Sequence, residues 1–582
     1  MVQEGKWIRV HAPPHILANP KRAGIKPAAT NLCEHSGLDN ESIGPVAAGF
    51  MPACFGFRNI AQTADIDYIP NMKLRLLLFA LLCVIAGITV SYAQNRPAVE
   101  KYVNEHQSDI VRELVSLLSI PNVSADKPNI RKNAELLKEM FAKRGFAAEI
   151  LETTGNPLVY GELKAPGASR TLLFYAHYDG QPFNARLWKQ ESAFVPIMRD
   201  GRMEDGAKEI ANFTSLKSFP SNARIYARSA SDDKAPIVAL LTAVDALKSL
   251  GRQPTSNIRV ILDGEEEASS DGLIRSIPQY KDKYRADMLL VLDAPVHASG
   301  KPTLLFGARG IATLELTVYG PKFALHSGHY GNWAPNPAMD LVQLLATMKD
   351  ADGRVLVEGF YDDVPPLSAA EKQILQQVPD DLPGLMQFFG ISRTEKVGSS
   401  LQESLQFPSL NVRGLRSAYV GAEVRTVIPD SATASIDIRL VKETLPERMI
   451  QRVIDHIRKQ GYQVVDKDPD DAARAKYPHI LRVSSGEGGA TFSGTKAYRT
   501  EMNHPAAIEL TKAMQQIWGT PPVRIRTMGG TVPISPFVEA LGFPAIGVPV
   551  VNFDNNQHSE NENVRLDYVW NAIVTFAGLL AM

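Results

Sequence analysis

The chain has 582 residues, of which 45% are hydrophobic and 21% charged, and this length and composition predict a globular protein with more than one domain. The formal net charge is −1, which excludes the strongly basic class of nucleic-acid-binding proteins, so we expect no nucleic-acid partner.

A short apolar stretch near the start of the chain has the pattern of a secretory signal peptide. Lys73 and Arg75 precede an apolar run at 76–90, and Ser91-Tyr92-Ala93, with small residues at its outer positions, forms a cleavage site. A membrane anchor or a buried helix is the alternative, but the run is short for a bilayer span and polar residues follow it directly. We therefore predict a signal peptide at 72–93, export to the periplasm or beyond the cell, and no stable membrane anchor after cleavage.

Residues 1–71 precede this signal peptide and have no clear amphipathic period. Because signal peptides lie at the N-terminus, we expect Met72 to be the natural start. The three cysteines, Cys33, Cys54 and Cys83, would then be absent from the mature protein. No disulfide and no thiolate ligand is expected, so stability must come from burial of the core.

Helices and strands alternate in the first part of the mature chain. The residue pattern predicts helices at 99–118, 130–144 and 234–250 and strands at 171–176, 257–262 and 286–292. This alternation is typical of an α/β fold with a mostly parallel central sheet and helices on both faces. We assign 97–306 to the first part of a catalytic domain.

The pattern changes after Gly307. Strands are predicted at 311–319 and 434–441, helices at 337–349 and 446–459, and surface connections at 365–383 and 466–477. These elements indicate a smaller α+β domain. Because a further candidate metal ligand, His558, follows this block, we interpret 307–495 as an inserted domain and 496–582 as the second part of the catalytic domain.

Five groups of acidic or imidazole residues stand in one order along the chain, and hydrophobic stretches lead directly into most of them. They are His177 with Asp179, Asp232 with Asp233, the glutamates 265–267, Asp293 and His558. In an open α/β sheet, ligands bind outside the carboxyl ends of the strands, so we expect these groups to surround one cleft. Imidazole and carboxylate bind zinc, and a pair of ions needs a bridging carboxylate and a separate base. The set is sufficient for two divalent metal ions.

Each group taken alone also has a structural interpretation. His177 could be satisfied by Asp179, Asp232 and Asp233 could cap the helix that follows, and 265–267 could be a solvated acidic turn. Three adjacent carboxylates repel one another, however, and are stabilising only where a cation compensates them. The order and context of all five groups favour the metal site.

The chain also carries seven short motifs in register, which cover it from about residue 97 to the end. They are 175–182 (YAHYDGQP), 228–236 (RSASDDKAP), 264–267 (GEEE), 305–311 (LFGARGI), 325–331 (LHSGHYG), 425–429 (RTVIP) and 557–560 (QHSE). With these motifs the sequence resembles the co-catalytic zinc metallopeptidase family that includes carnosinase-type dipeptidases, carboxypeptidase G, aminoacylase and succinyl-diaminopimelate desuccinylase, and in particular its dipeptidase branch. The resemblance implies a zinc-exopeptidase-like catalytic domain with an inserted dimerisation (lid) domain.

The resemblance implies a metal centre with a role for each matching residue. It implies two zinc ions per subunit, bridged by Asp232 and bound at their outer sides by His177, Glu267, Asp293 and His558. Manganese or cobalt would fit the same ligands. Glu266 would be the general base, and Asp179 would orient His177 through its second ring nitrogen.

The other matching residues concern the substrate and a second subunit. The resemblance implies a homodimer formed by the inserted domain, in which His326 reaches the neighbouring site and stabilises the oxyanion. Thr426 and Arg439 match positions that bind the carbonyl region and the terminal carboxylate of a small peptide substrate. Thr531 keeps the hydroxyl of the Gly-Gly-Ser motif usual in the family.

Two kinds of departure from the family pattern are visible. Ser229, Ala235 and Ser269 replace glycines that are usual in the family's loops, and an additional segment at 201–222 lies between the first two ligands. Both affect the expected shape of the loops and the access of substrate.

These features predict an exported di-zinc metallopeptidase that hydrolyses dipeptides or short peptides next to a free terminus. An N-acyl amino acid amidohydrolase would share every metal ligand and is the first alternative. A non-catalytic dimeric binding protein in the same fold is the second, although Glu266 serves proton transfer and has no evident structural role.

Overall fold

The computed structural model describes residues 96–484 and 493–582. The predicted signal peptide at 72–93, the segment 1–71 and all three cysteines lie outside the described residues. Within the described part of the chain, no helix combines the length and the apolar character that crossing a membrane requires.

The chain before Gly307 alternates between helices and strands. In chain order these are α1 (Arg96–Leu118), α2 (Lys127–Lys143), β1 (Ala147–Leu151), β2 (Leu158–Leu163), β3 (Thr171–His177), β4 (Ile197–Arg199), β5 (Arg224–Tyr226), α3 (Ala235–Ser249), β6 (Asn257–Asp263), α4 (Asp271–Tyr284), β7 (Met288–Val291) and β8 (Thr303–Leu305). Every helix and strand predicted for this region is present, with small shifts at the ends.

The middle of the chain contains shorter helices and longer strands. They are β9 (Gly307–Ala308), β10 (Gly310–Tyr319), β11 (Leu325–His326), α5 (Ser327–Tyr330), α6 (Pro337–Met348), α7 (Ala369–Gln376), α8 (Leu382–Phe389), α9 (Leu401–Ser404), β12 (Ser409–Ser417), β13 (Val427–Ile428), β14 (Ser431–Leu440), α10 (Pro446–Lys459), β15 (Gln463–Val465), α11 (Asp471–Lys476) and β16 (Ile480–Ser484). The remaining elements are β17 (Ser493–Thr495), β18 (Tyr498–Arg499), α12 (Pro505–Trp518), β19 (Val523–Ile525), α13 (Ser535–Leu541), β20 (Ala545–Gly547), β21 (Asn563–Arg565) and α14 (Leu566–Leu580).

The predicted surface connections at 365–383 and 466–477 are largely exposed, and they contain short helices that the sequence analysis did not predict, namely α7, the start of α8 and α11. Each of these short helices begins at a side chain that accepts a backbone N–H of the first turn. Ser368 does so for α7, with Glu371 completing a capping box, and Asp381 and Asp470 do so for α8 and α11.

The large sheet has eight strands in the order β1-β2-β6-β3-β7-β20-β8-β19. Strand β3 is parallel to β6 and β7, and β20 is parallel to β7, so these four strands end at one edge of the sheet. Alternate residues of β3 enter two different cores, because helices cover both faces: Leu172 and Phe174 pack with α1, α3 and α14, while Leu173 and Tyr175 pack with α4 and α13. The predicted α/β fold class is confirmed.

A second sheet is formed by chain that lies between the two parts of the large sheet. Its order is β12-β14-β10-β16-β15, and β17 also pairs with β10. Apolar residues of α6 and α10, among them Leu341 and Val453, form its core with alternate residues of β10 and β14. Strand β12 lies at the edge of this sheet, and most of its residues are exposed.

A third, small sheet has the order β21-β5-β4. Strand β5 leads into the loop that carries Asp232, and β21 follows the loop that carries His558. The small sheet therefore joins two segments that each carry a candidate metal ligand.

Candidate metal centre

The ends of neighbouring parallel strands bring the predicted ligands together. His177 is the last residue of β3, the three glutamates follow β6, and Asp293 follows β7. His558 lies in the long loop after β20, and Asp232 lies directly before α3. The carboxyl-end crevice predicted from the hydrophobic stretches is therefore where these side chains meet.

Five of these residues form two overlapping groups of ligand atoms. One group contains His177, Asp232 and Asp293, the other contains Asp232, Glu267 and His558, and the ligand atoms within each group lie within 4.8 Å of one another. Asp232 belongs to both. Its Oδ1 lies 2.8 Å from His177 Nε2, and its Oδ2 lies 3.2 Å from His558 Nε2. The two oxygens of one carboxylate thus face two imidazoles from different loops.

The residues fit a pair of divalent cations. Asp232 Oδ2 is buried and accepts no hydrogen bond from any residue that the structure describes. A buried carboxylate oxygen in that state is costly unless a cation compensates it. The donor set of two imidazoles and three carboxylates is the set that zinc binds, and one shared carboxylate is what a two-metal site requires.

Asp179 orients His177 and also holds the glutamate loop. His177 Nδ1 lies 3.2 Å from the carbonyl oxygen of Asp179 and 3.4 Å from its Oδ1. The backbone N–H groups of Glu266 and Glu267 donate to the two carboxylate oxygens of Asp179 at 3.0 and 3.1 Å, and Ser124 Oγ donates at 2.5 Å. One buried carboxylate therefore fixes the imidazole and the loop that carries Glu266 and Glu267.

The three adjacent glutamates have different surroundings. Glu265 accepts the backbone N–H of Asn156 at 2.7 Å and that of Gly272, so it is part of the local backbone structure. Glu267 Oε2 lies 3.5 Å from His558 Nε2 and accepts a hydrogen bond from Gln181. Glu265 and Glu266 are each only 8% exposed, which excludes the interpretation of a solvated acidic turn.

The alternative of a helix cap at Asp232 and Asp233 is wrong. The capping position of α3 is occupied by Lys234, and no described side chain makes a capping hydrogen bond there. Asp233 is buried, and neither of its carboxylate oxygens accepts a hydrogen bond from a residue that the structure describes. Neither aspartate therefore caps α3.

The carboxylates of the centre shift one another's pKa values. Burial, assisted by the charge of Asp232, raises the pKa of Glu267 to about 8 and that of Asp293 to about 6. Burial also raises the pKa of Glu266 well above its usual value, with Asp293 and Glu267 adding to the effect. Such convergent negative charge disfavours ionisation of each group and favours a bound cation.

The charged forms of the histidines are favoured, whereas those of Glu266, Glu267 and Asp293 are disfavoured. Partial burial favours the neutral ring of His558, but its contact with Asp232 and the nearby charge of Glu267 outweigh that effect and raise its pKa to about 9. Burial acts against the charged form of His177 in the same way, and its contacts with Asp179 and Asp232 raise its pKa. Burial also opposes the charge on Asp232, yet both imidazoles together lower its pKa below the usual range.

Glu562 is a buried residue of the site that the sequence analysis missed. Its carboxylate accepts the backbone N–H groups of Ser229, Ser231 and Asp232 at 2.8–3.0 Å and pairs with Arg228 at 2.9 Å. It therefore fixes the loop of the shared carboxylate. Nothing in the sequence separates it from the other polar residues after His558.

Lys234 was missed for a similar reason. Its ammonium is fully buried and donates to the carbonyl oxygens of Leu117 and Ile120 and to Asn133 Oδ1. Burial lowers its pKa to about 7. The lysine thus ties the start of α3, next to Asp232, to the segment after α1.

Two of the three residues that replace family glycines have left-handed backbone. Ser229 has φ 61° and Ser269 has φ 84°, a region in which glycine is favoured. Asn122 Nδ2 donates to Ser229 Oγ at 2.8 Å, so the added side chain has a partner in the loop. Ala235 has φ −65° as the first residue of α3, where no glycine is required.

The three predicted substrate-binding residues and the predicted catalytic residue His326 fall into two pairs. Arg439 on β14 donates from Nη1 to Thr531 Oγ1 at 2.8 Å, which joins the second sheet to the segment between β19 and α13. His326 and Thr426 are both exposed, and Ser327 N–H donates to the carbonyl oxygen of Thr426. Across the described chain, no hydrogen bond or ion pair joins His326 or Thr426 to the five candidate ligands.

Comparison with known proteins identifies the family. The model of "Peptidase family M20/M25/M40" matches residues 173–582, which include the whole candidate centre. The chain belongs to this peptidase family. It is a metallopeptidase, a hydrolase that acts on peptide bonds.

Relatives of the dipeptidase branch match this M20 chain over most of its length. The Cys-Gly metallodipeptidase DUG1 of Candida albicans is 26% identical over 500 residues, which cover 82% of this chain and 95% of that protein. The Beta-Ala-His dipeptidase of Homo sapiens is 26% identical over 537 residues, which cover 86% of this chain and 96% of that protein. The resemblance to the dipeptidase branch, inferred from the seven motifs, is confirmed.

A solved structure supports the same assignment of fold. The M20 family metallo-carboxypeptidase Sso-CP2 from Sulfolobus solfataricus superposes with a TM-score of 0.65 at 28% sequence identity. The match covers 81% of this chain and 98% of that one.

Proposed function

We propose that this M20 peptidase is an exported di-zinc enzyme that hydrolyses dipeptides or short peptides next to a free terminus. The observation that carries the proposal is the position of Asp232 in both groups of ligand atoms. Relatives named for Cys-Gly and Beta-Ala-His dipeptides support a small peptide as substrate. Zinc is proposed because imidazole and carboxylate make up the whole donor set, although manganese and cobalt fit the same ligands.

The metal ligands would be His177, Asp293, Glu267 and His558, with Asp232 between the two ions. When bound, the pair of cations would polarise the peptide carbonyl and lower the pKa of the attacking water. Glu266 would accept the proton of that water on its carboxylate. Glu266 would then pass this proton to the leaving amine.

Arg439 and Thr531 would bind the free carboxylate of the substrate. The guanidinium presents a planar set of donors that matches a carboxylate, and its side chain is 33% exposed and therefore accessible. Its hydrogen bond to Thr531 fixes the direction of the guanidinium before substrate arrives. Thr426 would contact the carbonyl region of the substrate.

A homodimer formed by the second sheet is part of the proposal. Among the described residues, no strand pairs with the outer edge of β12; this strand exposes Val412 and Leu415, and α6 exposes Met339 and Val342. An open strand edge with apolar side chains is a surface that a second copy can cover. His326, which lies on the separate short β11-β13 pair, is exposed and would reach the partner's centre, where its imidazole would stabilise the oxyanion.

The N-acyl amino acid deacylase alternative shares the ligands, Glu266 and the carboxylate-binding arginine. Dipeptidase names among relatives that match nearly their whole length favour the peptide substrate. A substrate screen separates the two. Purified protein beginning at Gln94 and loaded with zinc is assayed with dipeptides, with the same peptides blocked at either end, with longer peptides and with N-acyl amino acids. Faster turnover of N-acyl amino acids than of any free dipeptide would contradict the proposal.

Export rests on the signal-peptide pattern at 72–93. The N-terminal sequence of the protein recovered from outside the cytoplasmic membrane should begin at Gln94. Recovery of the chain only inside the cell, with residues 72–93 still attached, would contradict export.

A further inference from the structure

The additional segment at 201–222 is attached to the small sheet that joins the two ligand loops. The hydroxyl of Tyr226 on β5 accepts the backbone N–H of Met203 at 2.7 Å and donates to the carbonyl oxygen of Gly201 at 3.2 Å. Tyr226 is fully buried. The start of the segment is therefore fixed to the strand that leads to Asp232.

The first residue of β5, two positions after the segment, closes the loop of His558. Arg224, which is 3% exposed, donates from Nη2 to Asp554 Oδ2 at 2.6 Å and from Nη1 to the carbonyl oxygen of Asp554 at 3.2 Å. The same Nη1 donates to Asn563 Oδ1 at 2.8 Å. Asp554 precedes His558 and Asn563 follows it, so a single guanidinium links the two ends of the loop.

The segment also contacts the middle of this loop. Asn556 Nδ2 donates to Glu204 Oε1 at 3.0 Å, and Arg202 pairs with Glu204 Oε2 at 3.2 Å. The guanidinium of Arg202 lies 4.9 Å from the ring centre of Phe388 on α8, and that ring is 5.4 Å from the ring of Phe553. The loop is therefore held from two directions beside its metal ligand.

The loop needs such contacts because its backbone is unusual. Asn556, His558 and Asn561 have φ values of 57°, 61° and 61°, in the left-handed region that residues other than glycine rarely adopt. Conformations of this kind persist only where surrounding contacts hold them. Outside contacts therefore decide where the imidazole of His558 points.

We propose that the segment 201–222, together with Arg224 at the start of β5, is a positioning element for His558, in which Arg224 and Glu204 keep the imidazole beside Asp232 and Glu267 and so set the affinity of that cation site. The inference rests on the proposed metal centre. It assigns the additional segment to metal binding and not to contact with substrate.

The test is a titration of metal-free, full-length mature protein with Co²⁺, followed by visible absorption and by calorimetry. His558→Ala identifies which of the two binding steps belongs to the site of Asp232, Glu267 and His558. Arg224→Lys, which keeps the charge but loses the planar fork, should weaken that step about tenfold, as is typical when a residue that supports a metal ligand is changed. Glu204→Ala should weaken it about fivefold, the value of one hydrogen bond.

Two variants serve as controls. Glu204→Gln keeps an oxygen that can accept the amide of Asn556, so it should bind Co²⁺ nearly as the unchanged protein does. Glu209→Ala changes another carboxylate within the same segment, one whose side chain forms a 3.9 Å ion pair with Arg199, and it should leave both steps unchanged. Thermal unfolding of each variant establishes that the protein is folded.

The possible results distinguish failure of the positioning role from failure of the proposed metal centre. Weakening of the His558 step alone, with the Gln variant close to the unchanged protein, supports the inference. Unchanged binding in both Arg224→Lys and Glu204→Ala would overturn it, and so would equal weakening of both steps, which indicates general destabilisation. Uptake of fewer than two Co²⁺ ions by the unchanged protein would refute the proposed metal centre itself.

Discussion

Asp232 is the residue on which the chemistry of the centre depends. Its two carboxylate oxygens face His177 and His558, which come from opposite ends of the catalytic sequence. A shared carboxylate holds two cations at a fixed spacing, and the neighbouring imidazoles keep it ionised by lowering its pKa. Replacement of this single side chain would affect both candidate sites at once.

Glu266→Gln should reduce turnover by a factor of about 10² to 10⁴, because the amide cannot accept a proton while its shape is retained. Glu266 belongs to neither group of ligand atoms, so zinc content should stay at two ions per chain. Rates of dipeptide hydrolysis and metal analysis of the same preparation check both statements. A variant that keeps the full rate would exclude Glu266 as the base.

Metal affinity should rise with pH. Asp293, Glu267 and His558 have pKa values of about 6, 8 and 9 in the metal-free chain, and each must lose its proton before it can bind a cation. Between pH 6 and pH 8 His558 stays largely protonated and Glu267 at least half protonated, so zinc binding should tighten by about tenfold or more per pH unit.

Titration calorimetry of zinc binding, in buffers of different ionisation enthalpy, measures the affinity and the number of protons released. Affinity that does not change between pH 6 and pH 8, with no proton release, would show that these side chains are not the ligands.

At the scale of the secondary-structure elements, strand ends and loops determine where the functional residues lie. The apolar stretches that precede His177 and Asp293 are long enough to identify buried strands, and parallel strands must end at one edge, so this part of the site could be predicted. Glu562 and Lys234 could not be predicted, because their roles depend on backbone groups that lie far away in the sequence. The helices α7 and α8 were missed since short helices depend on local capping residues more than on periodicity.

In the Glu562→Gln variant, the loop that carries Asp232 should unfold more readily than in the unchanged protein. The amide would leave the buried guanidinium of Arg228 without its charged partner, and loss of one member of a buried pair costs about 3 kcal/mol. Because Asp232 belongs to both groups of ligand atoms, both metal ions should bind more weakly.

Urea unfolding and zinc titration provide the measurements. Glu560→Gln is a suitable control. Glu560 lies in the same loop as Glu562, between β20 and β21, and its carboxylate accepts one backbone N–H, that of Asn184, at 3.2 Å. Equal effects of the two variants would contradict the special role of Glu562.

At the scale of the whole molecule, the two sheets meet at the proposed carboxylate site. Arg439 comes from the second sheet and Thr531 from the segment between β19 and α13, so the position of one sheet relative to the other sets the geometry for substrate. The seven motifs identified the fold from sequence, and the wider resemblance assigned Arg439 and Thr531 to the substrate, but the contact between these two residues was not predicted. The sequence also could not show which surface a second copy would cover, because exposed apolar residues such as Val412 and Met339 are recognised only once the edge strand and helix are in place.

Mixed dimers test whether His326 acts across subunits. His326→Ala and Asp232→Asn should each be nearly inactive, but a mixed dimer contains one complete site built from the unchanged halves. An equal, re-associated mixture should recover about a quarter of the normal activity, because half of the dimers are mixed and each has one working site. A mixture as inactive as its components would mean that His326 does not act in the partner's site.

The central claim is that one carboxylate, Asp232, holds two cations together. The most direct measurement is an anomalous-scattering map from crystals of the zinc-loaded protein. The account predicts two peaks about 3.5–4 Å apart, one beside His177 and Asp293 and the other beside Glu267 and His558, with Asp232 in contact with both. A single peak, or a pair of peaks of which Asp232 touches only one, would contradict it.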